Sequence, residues 1–239
     1  MVSVEEAAGG PGPIPQGTPA AKSPLIMIVG ADKGGVGKTT VTRALLDYLE
    51  KNEVPIRAID TEPGETGVLK RFYPRADMLN INSVPGQMKM VDSATAKAVT
   101  VVDAHANLLS PILKSFHKID IMDDVRRGAL RLMVLHVIGP TVASTSEVPA
   151  VVAALHGAHL VQVRNYVNED AVFVDDPVQP SIDIPNLDET SCEAVDRAGE
   201  MFAAFIADNK NSRVLRGYVR AWLNDVHASF DRVVGPLVR

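Results

Sequence analysis

Cysteine is nearly absent: Cys192 stands alone in 239 residues. One thiol excludes a disulfide framework within the chain, and equally a metal or iron–sulfur centre built on paired cysteines. A reducing cytoplasm agrees with this scarcity and is the expected compartment. Long apolar runs are missing too. No window reaches the roughly 18 apolar residues that a membrane span needs. The first 24 residues hold no apolar stretch able to act as a signal-peptide core. There is no internal repeat. The net charge of −5 is too mild to make the whole molecule a polyanion binder.

Glycine and proline, by contrast, crowd the N-terminus at Gly9, Gly10, Pro11, Gly12, Pro13, Pro15, Gly17, Pro19 and Pro24. That composition reads as a disordered tail over 1–24, with a short partner-binding arm as the functional alternative. The rest is ordinary: 46% hydrophobic and 22% charged residues, enough for a normal core. The length suits one large α/β domain over 25–239 better than two small ones.

Leu25 to Val29 is a short, continuously apolar run, as a strand buried on both faces requires. A glycine-rich loop follows over 30–37. From Lys38 to Lys51 apolar residues recur at Val41, Leu45, Leu46 and Leu49, a helical spacing. Further strands are expected at Val54–Ile59, Ala98–Val102, Leu132–Ile138 and Leu160–Val163. Helices are expected at about 107–118, 120–129, 145–157, 188–208 and 212–234. Residues 61–97 resist assignment. Strands alternating with helices predict an α/β fold, a doubly wound and mostly parallel sheet with helices on both faces. Ligands of such sheets bind beyond the strands' carboxyl ends. The glycine loop, Asp60, Asp103 and Asn165 all fall there, so one shared site is expected.

Gly37-Lys38-Thr39, after a strand and before a helix, is the working end of a phosphate loop. Glycines let the backbone curl until several N–H groups face phosphate oxygens, and the helix N-terminus adds its dipole. The Lys38 ammonium reaches the β- and γ-phosphates. The Thr39 hydroxyl is a hard-oxygen ligand for Mg²⁺. The standard pattern asks for glycine at position 32, where this chain has Asp32. Lys33-Gly34-Gly35-Val36-Gly37-Lys38-Thr39, followed by Thr40, resembles instead the deviant Walker A motif of the ParA/MinD superfamily of dimeric ATPases.

That resemblance implies a P-loop NTPase fold, with ATP and Mg²⁺ as ligands. It implies that Lys33 crosses a dimer interface to neutralise charge on the partner's nucleotide, as arginine fingers do elsewhere. Asp60-Thr61-Glu62-Pro63 stands where the family usually shows Asp-x-Asp-Pro. Asp60 would support the metal's water network, and Glu62, one methylene longer, would orient the attacking water. Gly64 and Gly67 give that loop freedom to rearrange. Val101-Val102-Asp103 resembles the Walker B strand, whose aspartate holds Mg²⁺ through water. Ala104-His105-Ala106-Asn107 replaces the family's proline-rich turn and resembles a branch tied to plasmid maintenance and conjugation. His105 reads as a polar loop residue more readily than as a catalytic one. Asn165 matches the family's adenine-binding asparagine; a turn-forming asparagine is the alternative. Pro185-Asn186-Leu187 resembles the loop that flanks the base.

In the last helix Leu215, Val219, Trp222, Val226, Phe230 and Val233 form one apolar stripe. Arg213, Arg216 and Arg220 form another, about 100° away. Residues 210–239 carry six Lys/Arg against two Asp. Such a stripe serves non-specific DNA, or less readily an anionic membrane, or is merely solvated. The combined expectation is a slow ATPase switch. It dimerises on ATP, is stimulated by a partner protein, and serves DNA partition or cargo positioning in the cytoplasm or at the nucleoid. An ATP-binding module with little hydrolysis is one rival. Another is a small-molecule enzyme on the same scaffold, although the dethiobiotin synthetase loop lacks a lysine at the place of Lys33.

Overall fold

Strand β1, Leu25–Gly30, is buried along its whole length, and its alternate side chains enter two different cores. Leu25, Met27 and Val29 join one apolar cluster, while Ile26 and Ile28 join the other. A strand sandwiched this way has no polar face, which is why its sequence is continuously apolar. The computed structural model of the chain describes residues 23–62, 64, 67–155, 157–168, 171–173 and 180–239. The proposed tail over 1–24 therefore lies outside the described residues, apart from Ser23 and Pro24, which lead into β1.

After β1 come α1 (Lys38–Lys51), β2 (Ile56–Asp60), α2 (Leu69–Phe72), β3 (Asp77–Met78), α3 (Val84–Val91) and β4 (Val99–Asp103). Then follow α4 (Leu109–Lys118), α5 (Ile121–Arg126), β5 (Arg131–Ile138), α6 (Val142–Thr145), α7 (Val148–Ala154), β6 (His159–Asn165) and β7 (Ser181–Ile184). The chain ends with α8 (Glu189–Ala198), α9 (Phe202–Ala207), α10 (Arg213–Val233) and α11 (Gly235–Val238). The seven strands form one sheet in the order β3-β2-β4-β1-β5-β6-β7, and every pairing is parallel.

Helices cover both faces. α1, α2, α8, α9 and α10 pack on the first cluster, and α3, α4, α5 and α7 on the second. The stripe of α10 points inward as its spacing requires: Val219, Trp222, Val226 and Phe230 are buried. The Trp222 indole donates to Pro185 O at 2.7 Å, fastening the helix to the end of β7. Arg43 of α1 is buried with its guanidinium between the rings of Phe72 and Phe202, 3.6 and 4.3 Å from their centroids, and donates to Asp196 at 2.8 Å. One side chain thus joins α1, α2, α8 and α9.

Several expected boundaries move. The helix expected over 188–208 is two helices, because Gly199 takes a left-handed φ of +68° and caps α8. The stretch expected over 145–157 breaks into α6 and α7, with Ser146 and Glu147 in the turn between them. The one expected from 107 starts at Leu109, because Asn107 turns the chain at φ +63°. The helix expected over 120–129 covers only Ile121–Arg126. The unassigned 61–97 region supplies α2, α3 and the two-residue strand β3. The edge strand β7 was not expected; only Ile182 and Ile184 of its four residues are buried.

Phe230 is fully buried and packs on Tyr48. Phe230→Ala is expected to cost about 3–5 kcal/mol, read as a lower urea midpoint at unchanged slope. An unchanged midpoint would mean that α10 does not contribute to the core.

Candidate functional site

The strand register brings the site together. Asp60 at the end of β2 lies opposite Asp103 at the end of β4, and Asp103 lies opposite Val29 just before the glycine loop. From β1 the chain turns through residues 31–37 into α1. Gly37 has φ +85°, and a Cβ there would lie 2.1 Å from Asn165 Nδ2. Glycine alone allows this approach, in which Asn165 donates its amide to Val36 O at 2.8 Å. No side chain caps α1, and its first turn holds no acidic residue. Its positive end therefore faces the cleft with no capping side chain of its own.

The two lysines of the loop lie in opposite environments. Lys38 is only 8% exposed, and its ammonium donates to Lys33 O at 3.1 Å. Burial lowers the Lys38 pKa from its ordinary value, against the opposing pull of Asp103, Glu147, Glu62 and Asp32. A bound anion would favour the charged form and oppose that shift. Lys33, together with Gly34 and Gly35, is exposed at the rim.

Asp103 is buried beneath the loop. Thr39 donates to its Oδ2 at 2.7 Å, and Thr42 to its Oδ1 at 2.8 Å. Burial pushes the Asp103 carboxyl up to about 7; the two hydroxyls and Lys38 oppose the shift, while Asp60 adds to it. Asp60 is itself engaged at both oxygens: Oδ1 accepts from Glu62 N at 2.8 Å and Oδ2 from Lys70 N at 2.9 Å. Gly67, at φ +61°, passes so close that a Cβ would sit 2.3 Å from Asp60 Oδ2. Thr61 donates to Asp103 O at 2.9 Å and accepts from His105 N at 3.0 Å, tying the two strand ends together.

Gly34, Gly35, Gly37, Lys38, Thr39, Thr40, Asp60, Glu62, Asp103 and His105 line one cleft of about 290 Å³. A second cleft of about 440 Å³ adjoins it, sharing Glu62 and His105 and running past Met78, Asn80 and Leu108. Val36 is buried beside the loop, and Lys33 stands on the rim rather than within either cleft.

Three residues of the loop's support escaped sequence reasoning. Asp32 accepts from Ser110 N at 3.0 Å and from the Ser110 hydroxyl, capping α4 from a distance. Its departure from glycine was visible; its partner was not. Glu147 accepts from the backbone N–H groups of Asp32 and Lys33, and His136 stands behind it on β5. Nothing local in the sequence marks either residue.

The arginine stripe separates. Arg213 and Arg220 are exposed. Arg216 is half-buried and donates to Asn209 Oδ1 at 2.6 Å and Ile206 O at 3.4 Å, so it also braces the α9–α10 turn. Among the described residues no helix is long and apolar enough to cross a membrane.

A parallel α/β sheet with a glycine loop, a buried lysine and paired threonine–aspartate contacts at its carboxyl rim defines a nucleotide-binding P-loop domain. The chain matches the CobQ/CobB/MinD/ParA nucleotide binding domain, CbiA, over residues 26–229, and belongs to that family. It is similar to Protein MobD of Acidithiobacillus ferrooxidans, with 29% identity over 83 residues, 34% of this chain and 37% of that protein. The match thus spans little more than a third of that relative. Among solved structures it is similar to the MinD cell division protein of Aquifex aeolicus, at 17% identity and TM-score 0.49, covering 84% of this chain and 97% of the other. It is also similar to an ADP-complexed nucleotide-binding protein of Archaeoglobus fulgidus, at 13% identity and TM-score 0.41, covering 85% and 88%.

Asp103 is not the only carboxyl displaced by burial: Asp47 also rises to about 7. Both carboxyl pKa values rise from 3.8, so the folded chain holds these protons when the unfolded chain has lost them. Each group should therefore make stability fall as pH rises from about 4 to about 7, by at most roughly 1.4 kcal/mol per pH unit. His227, lowered by burial from 6.5 to about 4, offsets about one group's share over most of that range. Glu147, whose pKa is lowered, acts in the opposite sense at or below the ordinary carboxylate range. Asp103→Asn should make the slope between pH 5 and 7 less negative by up to roughly 1.4 kcal/mol per pH unit, measured by urea unfolding. An undiminished slope would mean that Asp103 is ionised in the folded chain.

Proposed function

We propose that this chain is an ATP-dependent dimerising switch ATPase of the ParA/MinD kind. The observation that carries the reading is the opposite exposure of its two loop lysines. Lys38 is buried in the phosphate cradle, where it serves the chain's own nucleotide. Lys33 is exposed on the rim, free to enter the site of a second copy and neutralise charge there.

The donor set suits ATP with Mg²⁺. The N–H groups of Gly34 to Thr40 cradle phosphate oxygens. The Thr39 hydroxyl would hold the ion, with Asp103 and Asp60 supporting it from behind. Among the described residues no three His, Cys, Asp or Glu side chains form a protein-only metal site. The ion would therefore take its remaining ligands from phosphate and water, as Mg²⁺ prefers. The bound nucleotide supplies the γ-phosphoryl group. Glu62, half-buried and lining the cleft, orients the attacking water. Asn165, with its amide N–H given to Val36, meets the base through its oxygen. A partner protein that completes the site accelerates turnover, and the cargo is DNA or a body moved along it.

The adjoining cleft of about 440 Å³ favours a second reading, an ATP-dependent enzyme acting on a small molecule held beside Glu62 and His105. Turnover per chain that stays constant on dilution would favour that reading. A steep fall on dilution favours the switch.

Two results are expected. First, sedimentation should give a dimer with ATP and a monomer with ADP. Lys33→Ala should bind ATP within a few-fold of the parent yet neither dimerise nor release phosphate; normal turnover in this variant would remove Lys33 from the chemistry. Second, the ATP-loaded dimer should bind duplex DNA without sequence preference through Arg213 and Arg220. Two arginines on each of two protomers limit the slope of log affinity against log salt to about −3.6. Replacing both by Ala should flatten it, whereas Arg216→Ala should leave it unchanged. Sedimentation with anionic vesicles in place of DNA would assign the helix to a membrane surface.

A further inference from the structure

Residues 32 and 33, where the chain enters the phosphate loop, are gripped from a distant part of the sequence. Glu147 Oε2 accepts from Asp32 N at 2.7 Å, and Glu147 Oε1 accepts from Lys33 N at 3.0 Å. Two consecutive N–H groups thus meet the two oxygens of one carboxylate, a fork that fixes the orientation of both peptide planes. Such charge-assisted pairs are stronger and more directional than neutral ones.

The carboxylate is held in turn. Its side chain is 13% exposed, and Nε2 of the buried His136 stands 3.7 Å from Oε2, too far for a direct hydrogen bond but close enough to favour the ionised form. Among the described residues that ring nitrogen has no hydrogen-bond partner. His136 occupies the β5 position opposite Gly30, the last residue of β1. Burial alone would push the Glu147 carboxyl up. His136 and the two N–H groups outweigh it, so the group is held below its ordinary value.

We infer that Glu147 is the positioning residue for Lys33: its carboxylate sets the backbone from which the rim lysine projects toward a second copy of the chain. The inference rests on the switch reading given above. From the other side, the Asp32 carboxylate is tied to α4 through Ser110, so residues 32–33 are pinned to two elements on the second face of the sheet. The later part of the loop meets residue 33 through the Lys38 bond to Lys33 O but has supports of its own, α1 and the Asn165 bond to Val36 O. Loss of Glu147 should therefore release Lys33 and leave the cradle standing. Nucleotide binding and turnover should separate, which a merely structural defect would not produce.

The test uses the full chain with Glu147→Ala and the milder Glu147→Gln, which keeps side-chain size and one acceptor oxygen. Three quantities are measured: affinity for a fluorescent ADP analogue, ATP turnover, and backbone amide exchange at Asp32 and Lys33. For Glu147→Ala we expect affinity within about threefold of the parent and turnover down at least tenfold. Exchange at residues 32 and 33 should rise at least tenfold, while residues 41–45 of α1 stay protected. Glu147→Gln should fall between. Unchanged exchange at residues 32 and 33 overturns the inference, as does ADP affinity that falls in step with turnover. If the parent neither dimerises nor hydrolyses ATP, the switch reading fails, and exchange with nucleotide affinity then decides the clamp alone.

Discussion

The hydroxyls of Thr39 and Thr42 meet one buried carboxylate, Asp103, and much of the molecule is arranged around that junction. The two bonds join the first turns of α1 to the end of β4. The parallel register carries the junction to β1 and β2 on either side. Burial makes the ionised aspartate unfavourable, and a positive ion in the cleft would reverse that penalty. A carboxylate disfavoured in the protein alone would become favourable beside a bound cation.

A second linkage runs from the same rim to the opposite flank of the domain. The Asp60 oxygens accept from Glu62 N and Lys70 N, so two backbone positions eight residues apart meet on a single side chain. Lys70 belongs to α2, whose Phe72 covers the Arg43 guanidinium. Arg43 reaches Asp196 and Glu200 O, joining the end of α8 and the break before α9. A buried guanidinium is costly unless its donors are satisfied and its faces covered. Both terminal nitrogens are satisfied and both faces covered, while Nε is buried without a partner among the described residues; α1, α2, α8 and α9 are thereby bound into one packing unit.

The sequence was most legible where local chemistry and secondary structure coincide. Apolar runs sandwiched by helices are recognisable because a strand buried on both faces has no polar side, and five of the seven strands were expected on that ground. β3 and β7 were missed for the converse reason: short edge strands with few buried residues carry no periodic signal. Helix ends moved where one backbone angle decided the matter, as at Asn107 and Gly199. Periodicity reports which face is buried and is blind to a left-handed residue that stops the helix.

Residue type and spacing by themselves determined the phosphate loop, the parallel α/β class, the carboxyl-end location of the site and the inward stripe of α10. Each follows from chemistry written within a few consecutive residues. What only the tertiary structure decided is which distant groups complete that chemistry. Arg216 is a brace, and Arg213 and Arg220 remain the exposed members of its stripe, because the α9–α10 turn folds back on the middle of the three. Glu147 reaches Lys33 across 114 residues, and Asp32 reaches Ser110 across 78. Hydrogen bonds over such separations leave no pattern along the chain, since any loop length closes them once the sheet has set the strand ends side by side.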